Sequence, residues 1–136
     1  ACLITCQDFR LHQRKDGRNY VAEFIKNLGI DCDLITRAGG VKDLIGNDHH
    51  HSVLRDTRVS AELHQVESVF LLNHETCGAY GNNFSSRKEE LDQHYTDLKE
   101  SREIILKNFS QVKVELYFAE LEPDTKDVFV IKKVSV

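Results

Sequence analysis

His74 and Cys77 stand three residues apart, after an apolar run that ends at Leu72 and before the glycine-rich stretch Gly78-Ala79-Tyr80-Gly81. Cys6, Asp8 and Arg10 alternate just after the chain's first apolar run, Leu3-Ile4. If the chain stays extended there, these three side chains point to one side. Two thiolates and an imidazole suit Zn²⁺. Three protein ligands with an open fourth position is the catalytic pattern, and four protein ligands the structural one. Charge counting sharpens this. Two thiolates neutralise the ion and leave it a weaker Lewis acid than a site of neutral histidines. A bound water is then less acidic unless something stabilises hydroxide. Arg10 can keep Asp8 ionised and oriented, and Asp8 can accept the hydroxide's hydrogen bond. Asp8 can instead bind the ion itself and close the site.

Each residue alone has a plainer reading. Cys6 is a small buried apolar residue, His74 a hydrogen-bonded histidine at a strand end, and Asp8 with Arg10 a structural ion pair. Together, at the ends of two strands, the three ligand types favour a metal site, with a closed four-coordinate zinc as the main alternative. Other candidates are weaker. Tyr80 lies beside the ligand turn and could reach the pocket. Glu90 and His94 stand at i, i+4 on a helix; His94 could move protons, but a solvated helix face is the favoured reading. His49-His50-His51 reads as exposed loop histidines, because neighbouring side chains rarely converge on one ion.

The elements that must position these residues follow from periodicity. Ala1 to Thr5 is a short buried strand. Val21, Phe24, Ile25 and Leu28 form one helical stripe, and Gly29 stops that helix. Ile30 to Thr36 is a second strand, followed by the turn Arg37-Ala38-Gly39-Gly40-Val41. Val41 to Ile45 is a short helical turn and Gly46-Asn47-Asp48 a loop. Val53 to Gln65 is a helix with Val59, Leu63 and Val66 inward. Ser68 to Leu72 is the third strand, delivering His74 and Cys77. Ser86-Arg87-Lys88-Glu89 fits a capping box, opening a long helix with Leu91, Tyr95, Leu98 and Ile105 inward and Ser101 free to face solvent. Val112, Val114, Leu116 and Phe118 alternate as a half-buried strand. Val128 to Ile131 completes a hairpin after the turn Pro123 to Asp127. Strands alternating with helices predict an α/β fold: a central, mainly parallel sheet flanked by helices, with a C-terminal edge hairpin. In such a sheet the first and third strands can be neighbours, which brings Cys6 beside His74 and Cys77.

The 136 residues are enough for one domain, expected across residues 1–136. A net charge of −4 gives no electrostatic reason to expect nucleic acid or an anionic membrane as partner. No apolar run approaches the roughly 18 residues of a membrane span. Four cysteines at irregular spacing, in a chain too large to need staples, read as metal or catalytic chemistry in a reducing, cytoplasmic setting.

Cys6-Gln7-Asp8-Phe9-Arg10 with His74-Glu75-Thr76-Cys77-Gly78 resembles the paired C-x-D-x-R and H-x-x-C-G motifs of β-class carbonic anhydrases. Thr36-Arg37-Ala38-Gly39-Gly40 resembles that family's R-N-A-G-G turn, and Val53-Leu54-Arg55 through Val59-Ser60 the helix before its third strand. The likeness covers roughly residues 1 to 82. It implies Zn²⁺ held by Cys6, His74 and Cys77, a catalytic pair at Asp8 and Arg10, and reversible hydration of CO₂ to bicarbonate by zinc-bound hydroxide. It also implies a homodimer or higher homo-oligomer. Gly39, Gly78 and Tyr80 are the expected pocket positions. Thr36 and Arg37 depart from the family's Arg and Asn, and the turn after Cys77 is wetter and richer in glycine. A non-catalytic zinc protein and a hydrolase of CS₂ or COS are the alternatives on this scaffold.

Overall fold

Among the described residues, five strands and four helices follow one another in the order the periodicity predicts. The computed structural model describes residues 1–46 and 48–136; Asn47, in the expected loop, lies outside the described residues. The strands are β1 (Cys2–Cys6), β2 (Asp33–Arg37), β3 (Ser68–His74), β4 (Lys113–Leu121) and β5 (Phe129–Val134). The helices are α1 (Tyr20–Leu28), α2 (Lys42–Ile45), α3 (His50–Arg58) and α4 (Arg87–Asn108). They build one sheet in the order β2-β1-β3-β4-β5, parallel except for the antiparallel β4–β5 hairpin. No helix among the described residues is long and apolar enough to cross a membrane.

Two apolar layers cover the sheet. On one face Phe24, Ile25 and Leu28 of α1 pack with Leu3, Phe70 and Leu72. On the other, Leu44, Val53, Leu54, Leu98 and Ile105 from α2, α3 and α4 pack with Ile4, Val69, Leu71 and Leu116. Successive strand residues feed opposite layers, which is why β1 and β3, covered on both sides, read as unbroken apolar runs.

The helix ends follow their capping residues. Asn19 Oδ1 accepts the Ala22 N–H at 2.8 Å, and Gly29 takes the left-handed conformation (φ 69°) that ends α1. Ser86 caps α4 by accepting from Glu89 N at 3.1 Å, whereas the Glu89 carboxylate takes the N–H of Ser85, one residue earlier than a capping box requires.

Several expectations need correction. The helix expected over Val53 to Gln65 starts at His50 and becomes π-helical over Val59–Leu63. The wider turn rotates the apolar row, leaving Val59 40% and Leu63 75% exposed while Ser60 and Ala61 turn inward. His50 and His51 belong to that helix, and His50 Nδ1 hydrogen-bonds Leu44 O at 2.9 Å. β2 starts at Asp33, and as an edge strand it leaves Leu34 exposed. β5 runs on to Val134. Ser101 is fully buried: the innermost row of α4 is His94, Leu98, Ser101 and Ile105, one stripe at helical spacing with polar members in it.

Candidate metal centre

β1 and β3 are adjacent and parallel, with Thr5 opposite Leu72, so both strands end at the same level. Cys6 is the last residue of β1 and His74 the last of β3. Cys77 follows across a turn whose Thr76 sits at φ 58°. The potential ligand atoms of Cys6, His74 and Cys77 all lie within 4.8 Å of one another, and the three residues are buried.

The donor set fits a zinc ion. The two Sγ atoms are 3.8 Å apart, and two thiolates each about 2.3 Å from a tetrahedral ion stand about 3.8 Å apart. His74 Nδ1 lies 2.9 Å from the carbonyl oxygen of Glu75. A carbonyl can only accept, so Nδ1 carries the proton and Nε2 offers its lone pair. That Nε2 is buried with no hydrogen-bond partner among the described residues. A buried acceptor left bare is costly, and a cation satisfies it. The hydrogen bond from Cys77 holds the Cys6 thiol below its ordinary value against burial, while Cys77 is pushed up by Cys6 and by burial. A divalent cation supplies the charge that lets both become thiolates.

β1 stops at Cys6 and the chain turns into a short 3-10 helix over Phe9–Leu11, so Asp8 and Arg10 are brought together by that turn and not by the extended chain that alternation assumed: Asp8 Oδ1 accepts the Arg10 N–H at 2.9 Å. Arg10 Nη2 donates to Asp8 Oδ2 at 2.8 Å, and Nε reaches Oδ1 and Oδ2 at 3.1 and 3.2 Å. Asp8 Oδ2 is 3.7 Å from His74 Nε2. Burial works to raise the Asp8 pKa; the Arg10 hydrogen bonds and charge outweigh it and hold the carboxyl below its ordinary value. The other Arg10 donors tie the site together. Nη2 reaches Thr76 O at 3.0 Å, and Nη1 reaches Thr76 Oγ1 at 3.0 Å and Lys126 O, on the β4–β5 connection, at 2.8 Å.

The structure places Gly78 and Tyr80 in the turn after Cys77, with Gly39 packed against Ala79 between them. Tyr80 turns its hydroxyl onto Asp97 Oδ2 at 2.7 Å and receives Asn73 Nδ2 at 3.1 Å, on the far face of β3 from His74. Gly78 is exposed, and a Cβ there meets nothing within 4 Å. Gly39 is buried against Ala79 and Lys42. Its neighbour Gly40 is the closer one to the centre: at φ 58°, a Cβ there would run into Asn73 Oδ1 and come within 3.2 Å of Leu72 O and 3.4 Å of Cys6 N. His94, expected on a solvated face, is fully buried, and burial pushes its pKa down to about 4.

Reading the sequence missed several supporting residues. Buried Glu75 is gripped by Arg87 Nε at 2.6 Å and by Leu121 N–H at 2.8 Å, pinning the ligand turn to β4 and α4. Asn73 accepts Val41 N–H at 3.2 Å, seating the glycine turn. A polar residue closing an apolar run was the one available signal for Asn73.

Known proteins agree with this architecture. The carbonic anhydrase of Streptococcus mutans superposes with a TM-score of 0.62 at 16% identity, over 98% of this chain and 80% of that one. β-Carbonic anhydrases described as tetrameric, from Sordaria macrospora, give 0.62 at 12% identity, over 99% and 80%. In sequence, an uncharacterized protein of Rickettsia bellii is 28% identical over 93% of this chain and 80% of its own length. One of Rickettsia conorii is 27% identical over 95% and 72%. A family model described as "Putative carbonic anhydrase" matches residues 1–129, and the chain belongs to that family, as a divergent member with a β-carbonic-anhydrase fold.

Proposed function

We propose that the protein is a zinc-dependent carbonic anhydrase interconverting CO₂ and bicarbonate. Cys6, His74 and Cys77 hold the metal, and Asp8 with Arg10 handles the attacking water. The observation that carries this reading is the bare, buried Nε2 of His74 beside an Asp8 carboxylate that Arg10 grips through two nitrogens. Bound zinc would polarise a water and lower its pKa. Asp8 Oδ2 is placed to accept a hydrogen bond from the attacking water and would so turn an oxygen lone pair toward the carbon of CO₂. Arg10 keeps Asp8 ionised; with its donors spent on Asp8, Thr76 and Lys126, it acts through Asp8 as a positioning residue. Because two thiolates offset the metal's charge, activity rises toward alkaline pH. Stopped-flow CO₂ hydration by zinc-loaded protein tests the assignment, and no rate above buffer from neutral to alkaline pH overturns it.

A second reading makes Asp8 the fourth ligand of a closed, non-catalytic zinc. The 3.7 Å approach of Oδ2 to Nε2 favours it; the Arg10 grip on both carboxylate oxygens opposes it. Hydrolysis of COS or CS₂ at the same residues would show as sulfide release.

A cytoplasmic homodimer or higher homo-oligomer completes the proposal. The tetrameric Sordaria relatives and the edge strand β2 with exposed Leu34 support assembly. A reducing compartment suits a site built on two thiols. Light scattering at micromolar concentration and cell fractionation check both parts; a monomeric mass or a membrane-bound pool contradicts them.

A further inference from the structure

The turn joining His74 to Cys77 is held at Thr76 from two sides, and only one of them involves the Asp8–Arg10 pair. Thr76 at its middle has φ 58°. A β-branched residue keeps that left-handed conformation only where its surroundings over-determine it. From the site's side, Arg10 takes the Thr76 carbonyl and hydroxyl, each at 3.0 Å. From the helix side, the Thr76 N–H donates to Glu90 Oε1 at 2.5 Å. Glu90 lies in the first turn of α4, one helical turn before His94.

His94 cannot shift. Its ring is packed against those of Tyr80 and Phe118, with centroids 4.0 and 5.2 Å away. Val41 N–H binds Asn73 Oδ1, which fixes the amide's orientation, so Asn73 Nδ2 donates to His94 Nδ1 at 3.0 Å. The His94 proton is therefore on Nε2. That N–H has no hydrogen-bond partner among the described residues, and it faces Glu90 Oε1, the oxygen that holds Thr76, at 3.8 Å.

His74 is fixed by the ladder of β3 to β4, but Cys77 lies three residues beyond. Its Sγ goes where the peptides of Glu75 and Thr76 send it. We propose that Glu90, backed by His94, is a positioning residue for the metal centre: it sets the Thr76 peptide and thereby the approach of Cys77 to His74. The inference rests on reading Cys6, His74 and Cys77 as metal ligands. Without the Glu90 acceptor, Thr76 is free to leave the left-handed region, and Cys77 swings with it.

Cobalt titration of the wild type and of Glu90→Ala, Glu90→Gln and Glu90→Asp tests this, read by ligand-field and thiolate-to-cobalt absorption, with circular dichroism of each metal-free protein. The wild type should show tetrahedral cobalt bands. Glu90→Ala should shift them and weaken binding roughly 10-fold or more, the size usual for partners that orient ligands. Glu90→Gln should restore both, because its amide oxygen still accepts the Thr76 N–H. A residue serving only stability would lower folding stability and leave the bands in place. A wild type that binds no cobalt refutes the metal site itself. Wild-type bands and affinity in Glu90→Ala overturn the positioning role alone. Should Glu90→Ala not fold, the comparison of Glu90→Gln with Glu90→Asp decides: the shorter carboxylate must bind cobalt more weakly, and equal behaviour overturns the proposal.

Discussion

Arg10 spends its guanidinium on the protein: on Asp8, on the Thr76 turn and on the Lys126 carbonyl. One side chain thus sets the charge of the carboxylate and the shape of the ligand turn together. Removing it should show in two ways. Asp8 is held below its ordinary pKa, so its contribution to stability is complete above the ordinary carboxylate range and is lost as pH falls through the lowered value. In Arg10→Ala burial dominates, the Asp8 pKa climbs, and the acid unfolding of the metal-free protein, followed by circular dichroism, moves to higher pH. At saturating zinc, Arg10→Ala should lose roughly 10²-fold in CO₂ hydration, the cost of losing a group that aligns charge in a site. Arg10→Lys should rescue little, since one ammonium cannot make a two-point grip and reach Thr76 and Lys126 as well. Their nearness in sequence made an Asp8–Arg10 pair legible, although the short 3-10 turn at Phe9–Leu11, not strand alternation, brings the two together. The bond to Lys126 was not, because it spans 116 residues and ends on a backbone oxygen that any residue type supplies.

At the level of elements, the centre depends on the turn between β2 and α2 lying flat against the ends of β1 and β3. Gly40 makes that contact. Gly40→Ala should cost about 1–3 kcal/mol in urea denaturation of the metal-free protein, from a left-handed backbone and a Cβ driven at Asn73 and Leu72. Gly78→Ala, with open space around it, should stay within about 0.5 kcal/mol. Gly39 and Gly78 were expected as pocket positions and Gly40 was not singled out; its role depends on close approach between segments distant in sequence, and periodicity carries no trace of that. The same holds for α3 and α4. Apolar spacing located both helices, but it assumed a regular turn through Val59 to Leu63 and a polar exterior at His94 and Ser101. The π-helical turn rotates one face outward, and the network of Asn73, Tyr80, Asp97 and His94 buries polar groups by pairing them.

Across the whole molecule, the alternation of strands and helices was enough to foresee a mainly parallel sheet with covered faces and an antiparallel hairpin at one edge. It was also enough to place Cys6 beside His74 and Cys77, because neighbouring parallel strands end together. The closing of the β4–β5 connection over Arg10, and the grip of α4 on the ligand turn through Arg87 and Glu90, emerge only when the sheet is assembled. All of this converges on one claim, that Cys6, His74 and Cys77 share a single zinc ion. X-ray absorption at the zinc edge of the reconstituted protein tests it most directly. The expected result is one zinc per chain with two sulfurs at about 2.3 Å and one imidazole nitrogen at about 2.0–2.1 Å, falling to one sulfur in Cys77→Ser. A shell without sulfur, or a Cys77→Ser spectrum identical to the wild type, would contradict the account.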